Sequence, residues 1–151
     1  MLTPAQREKF VAILDAAADL TVATNRADGY PQATVVSFVN DGDKIYFGTG
    51  SKAQKAQNIA RDDRVSVAIT DPYKTWDDIR GVSIGGRARR VTEPEEVRRV
   101  GELMFEKFPQ ISKYADFGAG MDLALFRVDP DVISILDYSQ GFGHTETCDA
   151  R

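Results

Sequence analysis

Apolar positions along the chain fall into two rhythms. Phe10, Ile13, Leu14 and Ala17 recur at helical spacing. They follow Thr3-Pro4-Ala5-Gln6, where Thr3 can cap, Pro4 suits the first helical position and Gln6 completes a capping box. This predicts an amphipathic helix ending near Asp19. Short β-prone runs follow at 20–24, 32–39 and 44–48. Asp28-Gly29 and Asn40-Asp41-Gly42-Asp43 are turn signals between them, so the runs read as a β-meander. The run 32–39 has apolar or small residues on both faces, which predicts a strand covered on both sides. A short helix over about 54–61 interrupts the strands. Another strand, 65–70, ends at Asp71-Pro72. A loop containing Trp76 then leads into a strand at 81–91, whose Gly85-Gly86 pair predicts a bulge or a bend at a barrel corner.

Thr92-Glu93-Pro94-Glu95 predicts a second capping box. The helix behind it carries the stripe Val97, Val100, Met104, Phe105 and Phe108 and stops at Pro109. Two closing strands are expected at 123–128 and 132–136, joined at Asp129-Pro130. A glycine-rich polar tail begins at Tyr138. No repeat or linker interrupts the pattern, so residues 1–151 read as one domain, with an N-terminal helix at 1–19 and a polar tail at 138–151. Many short strands with few helices predict a mainly β fold with α (α+β), an antiparallel barrel with flanking helices rather than a parallel sheet.

Composition narrows the function classes. The 151 residues are 42% hydrophobic and 28% charged, enough for one domain with a real core. A formal net charge of −4 disfavours general nucleic-acid binding, which needs a basic face. No apolar run is long enough to span a bilayer, and residues 1–9 are polar and lack a signal-peptide core. One cysteine, Cys148, allows no intramolecular disulfide. A cytoplasmic protein without membrane or nucleic-acid partners is the simplest reading.

The candidate chemistry gathers at Tyr46-Phe47-Gly48-Thr49-Gly50-Ser51-Lys52-Ala53-Gln54-Lys55. A strand ends in glycines and hydroxyls, and a lysine-bearing helix follows at once. The glycines let backbone approach a ligand, Thr49 and Ser51 can donate hydrogen bonds, and Lys52 and Lys55 supply charge, so the segment can cradle an anion. The spacing matches no Walker signature, and Ser51 or Thr49 could equally cap the helix. Elsewhere, Arg87 and Arg89 share one strand face. They read either as a salt-bridged sheet edge or as an attractor for a phosphorylated substrate or nicotinamide dinucleotide. His144, the only histidine, could move a proton or could be a surface residue of the tail. No nucleophile–base pair stands out.

The order of these elements resembles the pyridoxamine 5′-phosphate oxidase-like flavoproteins, the split β-barrel FMN-binding family. The resemblance runs from residue 20 to about 136. It rests on Ala23-Thr24-Asn25 through Asp28-Gly29-Tyr30-Pro31, on the strand 34–39, on Ile45-Tyr46-Phe47 followed by Lys55-Ala56-Gln57-Asn58-Ile59, and on Asp62-Asp63-Arg64-Val65-Ser66-Val67. It implies a homodimer with two flavin sites between the subunits. Thr34, Val35, Val36 and Ser37 would lie along the flavin ring. Lys55 would bind the phosphate, and Thr49, Gly50 and Ser51 would line the phosphate and ribityl chain. Arg80 matches a family arginine on the strand that often serves the partner's site. A flavin phosphate carries about two negative charges. Charge-assisted hydrogen bonds of roughly 1.5–3 kcal/mol each would supply a useful part of the ~8 kcal/mol of micromolar binding.

The sequence also departs from the true oxidases. They carry an arginine where this chain has Thr34 and a glutamine where it has Gly81. Their tryptophan, arginine and histidine substrate motif falls where this chain reads Asp137-Tyr138-Ser139-Gln140-Gly141-Phe142-Gly143-His144-Thr145. The resemblance therefore implies FMN binding without pyridoxamine phosphate oxidation. The expected activity is electron or hydride transfer between NAD(P)H and a small organic acceptor. The missing arginine leaves a deazaflavin open. Two rival readings are a flavin or haem carrier or sensor, with His144 as the possible iron ligand, and a flavin-free interaction domain.

Overall fold

The computed structural model describes residues 1–114 and 122–151. Helix α1, Pro4–Ala16, begins with the expected box: Thr3 N–H donates to Gln6 Oε1 at 3.0 Å, and Gln6 N–H donates to Thr3 Oγ1 at 3.2 Å. The helix stops at Ala16, short of the expected Asp19, because β1, Asp19–Asn25, takes over the chain there. The strands β2 (Pro31–Asp41) and β3 (Lys44–Gly50) complete the meander. Helix α2, Gln54–Arg61, leads to β4, Arg64–Thr70. After a 3-10 turn at Trp76–Asp78 comes β5, Arg80–Arg90. Helices α3 (Pro94–Lys107) and α4 (Ile111–Tyr114) precede β6, Leu123–Asp137, and β7, Thr145–Asp149.

All neighbouring strands are antiparallel, in the order β3-β2-β1-β4-β5-β6, and β3 pairs back to β6 to close a six-stranded barrel. The first half of β6 pairs with β3 and its second half with β7. Leu20, Val22, Phe38, Ile45, Phe47, Val67, Ile84, Phe126 and Ile133 fill the interior, and Phe10, Ile13 and Leu14 of α1 pack against them. The Phe47 and Phe126 rings stack 5.4 Å apart across the closing seam. Among the described residues no helix is long and apolar enough to cross a membrane.

Several sequence expectations are corrected here. The two closing strands are one. Asp129-Pro130 does not break β6, because β6 bulges there: Gly85 pairs with Val132 and Gly86 with Pro130, which leaves Asp131 as the extra residue. A Cβ on Gly86 would stand 2.3 Å from Asp129 O, so only glycine lets the two strands approach. The second capping box is absent. Glu93 is the cap residue of α3 and makes no side-chain cap bond. The polar tail is not a loose tail. Its Gly141 and Gly143 take φ of 135° and 81°, turning the chain back so that β7 can pair with β6. Nor is β2 covered on both sides within one chain. Ala33, Val35 and Ser37 face outward, and Val35 is 68% exposed.

That outward face belongs to a wider surface. Val35, Thr21, Ala68, Ser83, Ser134 and Thr147 are successive cross-strand partners from β2 to β7. The next row is Ala33, Ala23, Ser66, Gly85, Val132 and, on β7, Asp149. Of these twelve neighbouring outward positions in a chain that is 28% charged, only Asp149, on the last strand, carries a charge. Sheet faces that meet water usually carry lysine and glutamate.

Candidate functional site

The turn from β3 into α2 holds the predicted cradle together. Thr49 and Gly50 pair with Ala124 and Leu123 of β6, and Ser51 N–H donates to Asp122 O at 2.9 Å, so the turn is anchored on the closing seam. Ala53 is the cap residue of α2 and offers no side-chain oxygen. Thr49 and Ser51 therefore do not cap this helix, and its first N–H groups find no side-chain acceptor among the described residues. The side chains of Thr49, Ser51, Lys52 and Lys55 have no hydrogen-bond or ion-pair partner among the described residues. Lys55 is half-buried and Lys52 exposed.

Sequence reasoning missed the residue that holds this helix in place. Asn58 is fully buried on the inner face of α2. Its Nδ2 donates to Thr24 Oγ1 at 3.0 Å and to Gln32 Oε1 at 3.3 Å, and its Oδ1 accepts from Gln54 Nε2 at 2.8 Å. One amide thereby ties α2 to β1 and β2. The available signal was an asparagine between Ala56 and Ile59 on the apolar face of a short helix, since a polar residue there must find partners. Gln32 lies two residues before Thr34, whose Oγ1 is buried without a partner. The network thus ties α2 to β2 two residues before the segment that holds Thr34, Val35, Val36 and Ser37. Val35 and Ser37 are on the exposed face, while Thr34 and Val36 are half-buried on the other.

The remaining candidates lie apart from this turn. Arg80, at the start of β5, forms an ion pair with Asp71, whose side chain is 12% exposed. Arg87 and Arg89 share one face as expected, and both bind the Asp63 carboxylate, at 2.5 and 2.9 Å. Asp63 follows the far end of α2, so these arginines are a salt-bridged edge and not part of the cradle. Asp62, beside it, is held well below the usual carboxylate range by hydrogen bonds from Arg64 and Asn25. His144 sits at the start of β7 with Nε2 3.2 Å from Glu146 Oε1. Glu146 also accepts from Gln6 at 3.1 Å, and Lys9 lies 3.2 Å from Asp137, so the tail is clasped to α1. Burial would raise the Asp137 carboxyl, but hydrogen bonds from Ser139, Gln140 and Lys9 more than offset it and hold it low.

A phosphate-bearing ligand fits what is free in this molecule. Two cations without carboxylate partners, two unengaged hydroxyls and an uncapped helix start converge on one turn, and a buried hydroxyl on β2 lacks a partner. The two departures from the oxidases are also legible. Thr34 leaves an orphaned hydroxyl in place of a cation. At Gly81 a Cβ would stand 2.9 Å from Ile69 O, so the sheet in its present form excludes a side chain there.

A closed six-stranded barrel with a lysine-bearing helix at its seam defines the class. The chain belongs to the pyridoxamine 5′-phosphate oxidase family, whose model matches residues 6–136. Strand β7 lies beyond that match. No curated protein matches the chain at a significant level. Among solved structures, a heme-binding protein from Mycobacterium smegmatis superposes with a TM-score of 0.79 at 20% identity, over 99% of this chain and 59% of that one. A conserved hypothetical protein from Mycobacterium tuberculosis gives 0.69 at 28% identity, over 100% and 87%. The heme storage protein of Vibrio cholerae gives 0.65 at 22%, over 79% and 85%. This chain therefore spans less than two thirds of the Mycobacterium smegmatis protein's length.

Proposed function

We propose that two copies of this chain join through the nearly uncharged barrel wall and hold FMN at the β3–α2 turn, as a flavin-dependent oxidoreductase. The observation that carries this reading is the set of unpartnered groups at that turn: Thr49, Ser51, Lys52, Lys55 and the uncapped start of α2. Elsewhere in the molecule the arginines at candidate positions are already neutralised by carboxylates. Lys55 and Lys52 bind the phosphate, with Thr49, Ser51 and the helix N–H groups donating to its oxygens. The backbone and side chains of 34–37 run along the ring and fix its orientation. The second subunit's wall excludes water from it. Arg80, held by Asp71, serves the site of the opposite subunit. Bound flavin supplies the transfer of hydride or electrons between NAD(P)H and a small organic acceptor. The chain itself supplies no pyridoxamine-phosphate substrate motif, and this reading does not include that oxidation.

The test is direct. Apo-protein titrated with FMN should bind one flavin per chain with micromolar or tighter affinity, and NADH or NADPH should bleach the yellow complex. Ala68→Arg puts a charge in the middle of the bare wall. It should convert a dimer to a monomer by sedimentation and abolish FMN binding. A protein that sediments as a monomer and ignores FMN would end the proposal. A deazaflavin would use the same cradle, so binding of that cofactor in place of FMN changes the cofactor and not the site.

A second reading has its own support. Two similar structures are named for haem, and His144 is the one histidine able to ligate iron. In this structure its Nε2 faces Glu146, so haem binding would have to displace that contact. A Soret band that disappears in His144→Ala would favour it.

A further inference from the structure

Helix α2 is attached to the barrel differently along its length. Past its far end Asp62 accepts from Asn25 Nδ2 at 3.0 Å, and in its last turn Arg61 donates to the Asn25 carbonyl. Its inner face buries Ala56 and Ile59 in the core. Neither attachment fixes the start of the helix, where the cradle lies. Asn25 meets only the last turn and the residue after it, and apolar burial is non-directional. A helix of 8 residues has little stability of its own, so the barrel contacts decide where it sits.

Asn58 reaches the start. Its Oδ1 accepts from Nε2 of Gln54, the first residue of α2, while its Nδ2 donates to Thr24 on β1 and Gln32 on β2. Gln57 Nε2 donates to Lys52 O at 2.8 Å and ties the preceding turn to the same helix. An apolar residue beside Ala56 and Ile59 would be buried with no polar atom to satisfy. An amide adds direction, because hydrogen bonds hold only within narrow distances and angles. A buried amide with donor and acceptor both engaged fixes one arrangement. Lys55 stands three residues before Asn58. A small rotation of α2 would leave Ala56 and Ile59 in apolar surroundings and still swing the Lys55 amine away from a bound anion.

We propose that Asn58 is the positioning residue of the anion cradle. It sets the rotation of α2 so that Lys55 and the first N–H groups of the helix meet the same phosphate. The inference rests on the cofactor reading and deepens it. Asn58 has no exposed surface with which to touch a ligand, so it acts through the groups that α2 presents. Most of its effect on affinity must therefore vanish once Lys55 is truncated.

The experiment is a double-substitution cycle on the full chain, read by fluorescence titration with FMN. Asn58→Leu should weaken FMN about tenfold in the parent, and by no more than about threefold in a Lys55→Ala background. A role in stability alone would lower the thermal midpoint but give equal losses of affinity in the two backgrounds, or none. If Asn58→Leu does not fold, Asn58→Ser keeps a smaller hydrogen-bonding side chain and should give the same pattern at reduced size. Equal losses, or no loss in the parent background, overturn the inference and leave the cofactor reading standing. A parent that does not bind FMN overturns both.

Discussion

The two ends of α2 carry cations in opposite conditions. At its start, Lys52 and Lys55 meet no carboxylate among the described residues. Past its end, Arg87 and Arg89 share Asp63, and Arg64 holds Asp62. Both regions look basic in the sequence. The difference shows that a cluster of cations says little by itself. A cation already neutralised by its own chain contributes to stability, while one left without a counter-ion is available to a ligand. Variants in the first group should change binding and not melting temperature, and variants in the second should do the reverse.

The sharpest test is Lys55→Ala. Loss of a charge-assisted hydrogen bond of about 1.5–3 kcal/mol should weaken FMN roughly ten- to hundredfold by fluorescence titration, with the thermal midpoint unchanged. Unchanged affinity would break the comparison at its centre. Asp137 tests the opposite class. Asp137→Asn removes the clasp to Lys9 and should cost about 1–3 kcal/mol, or ~2–4 °C in melting temperature per kcal/mol, without altering FMN affinity. Because this carboxyl is held low in the folded protein, its contribution is present above the unfolded value of 3.8. It is lost as pH falls below that value toward the folded pKa. The difference between parent and variant should therefore shrink during acid titration below about pH 4.

A smaller effect is expected at Thr34, whose orphaned hydroxyl is the one buried polar group on β2 without a partner. Thr34→Val removes the unsatisfied oxygen and should stabilise the free protein slightly. If that oxygen serves the flavin, binding should weaken by a few-fold at the same time. The smallest effect is reserved for the paired arginines. The double variant Arg87→Ala and Arg89→Ala should leave FMN affinity within about twofold and lower stability by no more than ~1 kcal/mol per pair, since exposed ion pairs contribute little. A large loss of affinity there would mean that Asp63 releases its partners to a ligand.

Much of the fold was legible because local chemistry and tertiary structure agree. Thr3, Pro4 and Gln6 start α1 as expected, the register shifts at Gly85-Gly86, and the short helix lies at Gln54–Arg61. Failures came where a distant partner decided the outcome. Asp129-Pro130 looked like a strand end, but a bulge at Asp131, opposite Gly85 and Gly86, keeps β6 continuous. The tail looked unstructured because Thr145–Asp149 is polar. It forms a strand because β6 offers an unpaired edge and α1 supplies Lys9 and Gln6. The cradle residues were readable from glycines, hydroxyls and lysines in a row. Their lack of partners was not, since pairing depends on which carboxylates the fold brings near. Lys107 shows the same limit. Its Nζ lies 3.9 Å from the centre of the Phe38 ring, and burial lowers its pKa, which nothing local in the helix signals.

The pairing of Ile45 with Val128 has a consequence for how the molecule is made. During synthesis the first five strands emerge before the segment that seals them, and the cradle's anchor on β6 emerges with that segment. Until then the ribosome-bound chain is an open sheet with two raw edges, exposed to wrong pairings. Closure joins positions far apart in the chain, which makes it a slow, late event. A nascent chain arrested before β6 should be a good client for chaperones and should hold no cofactor.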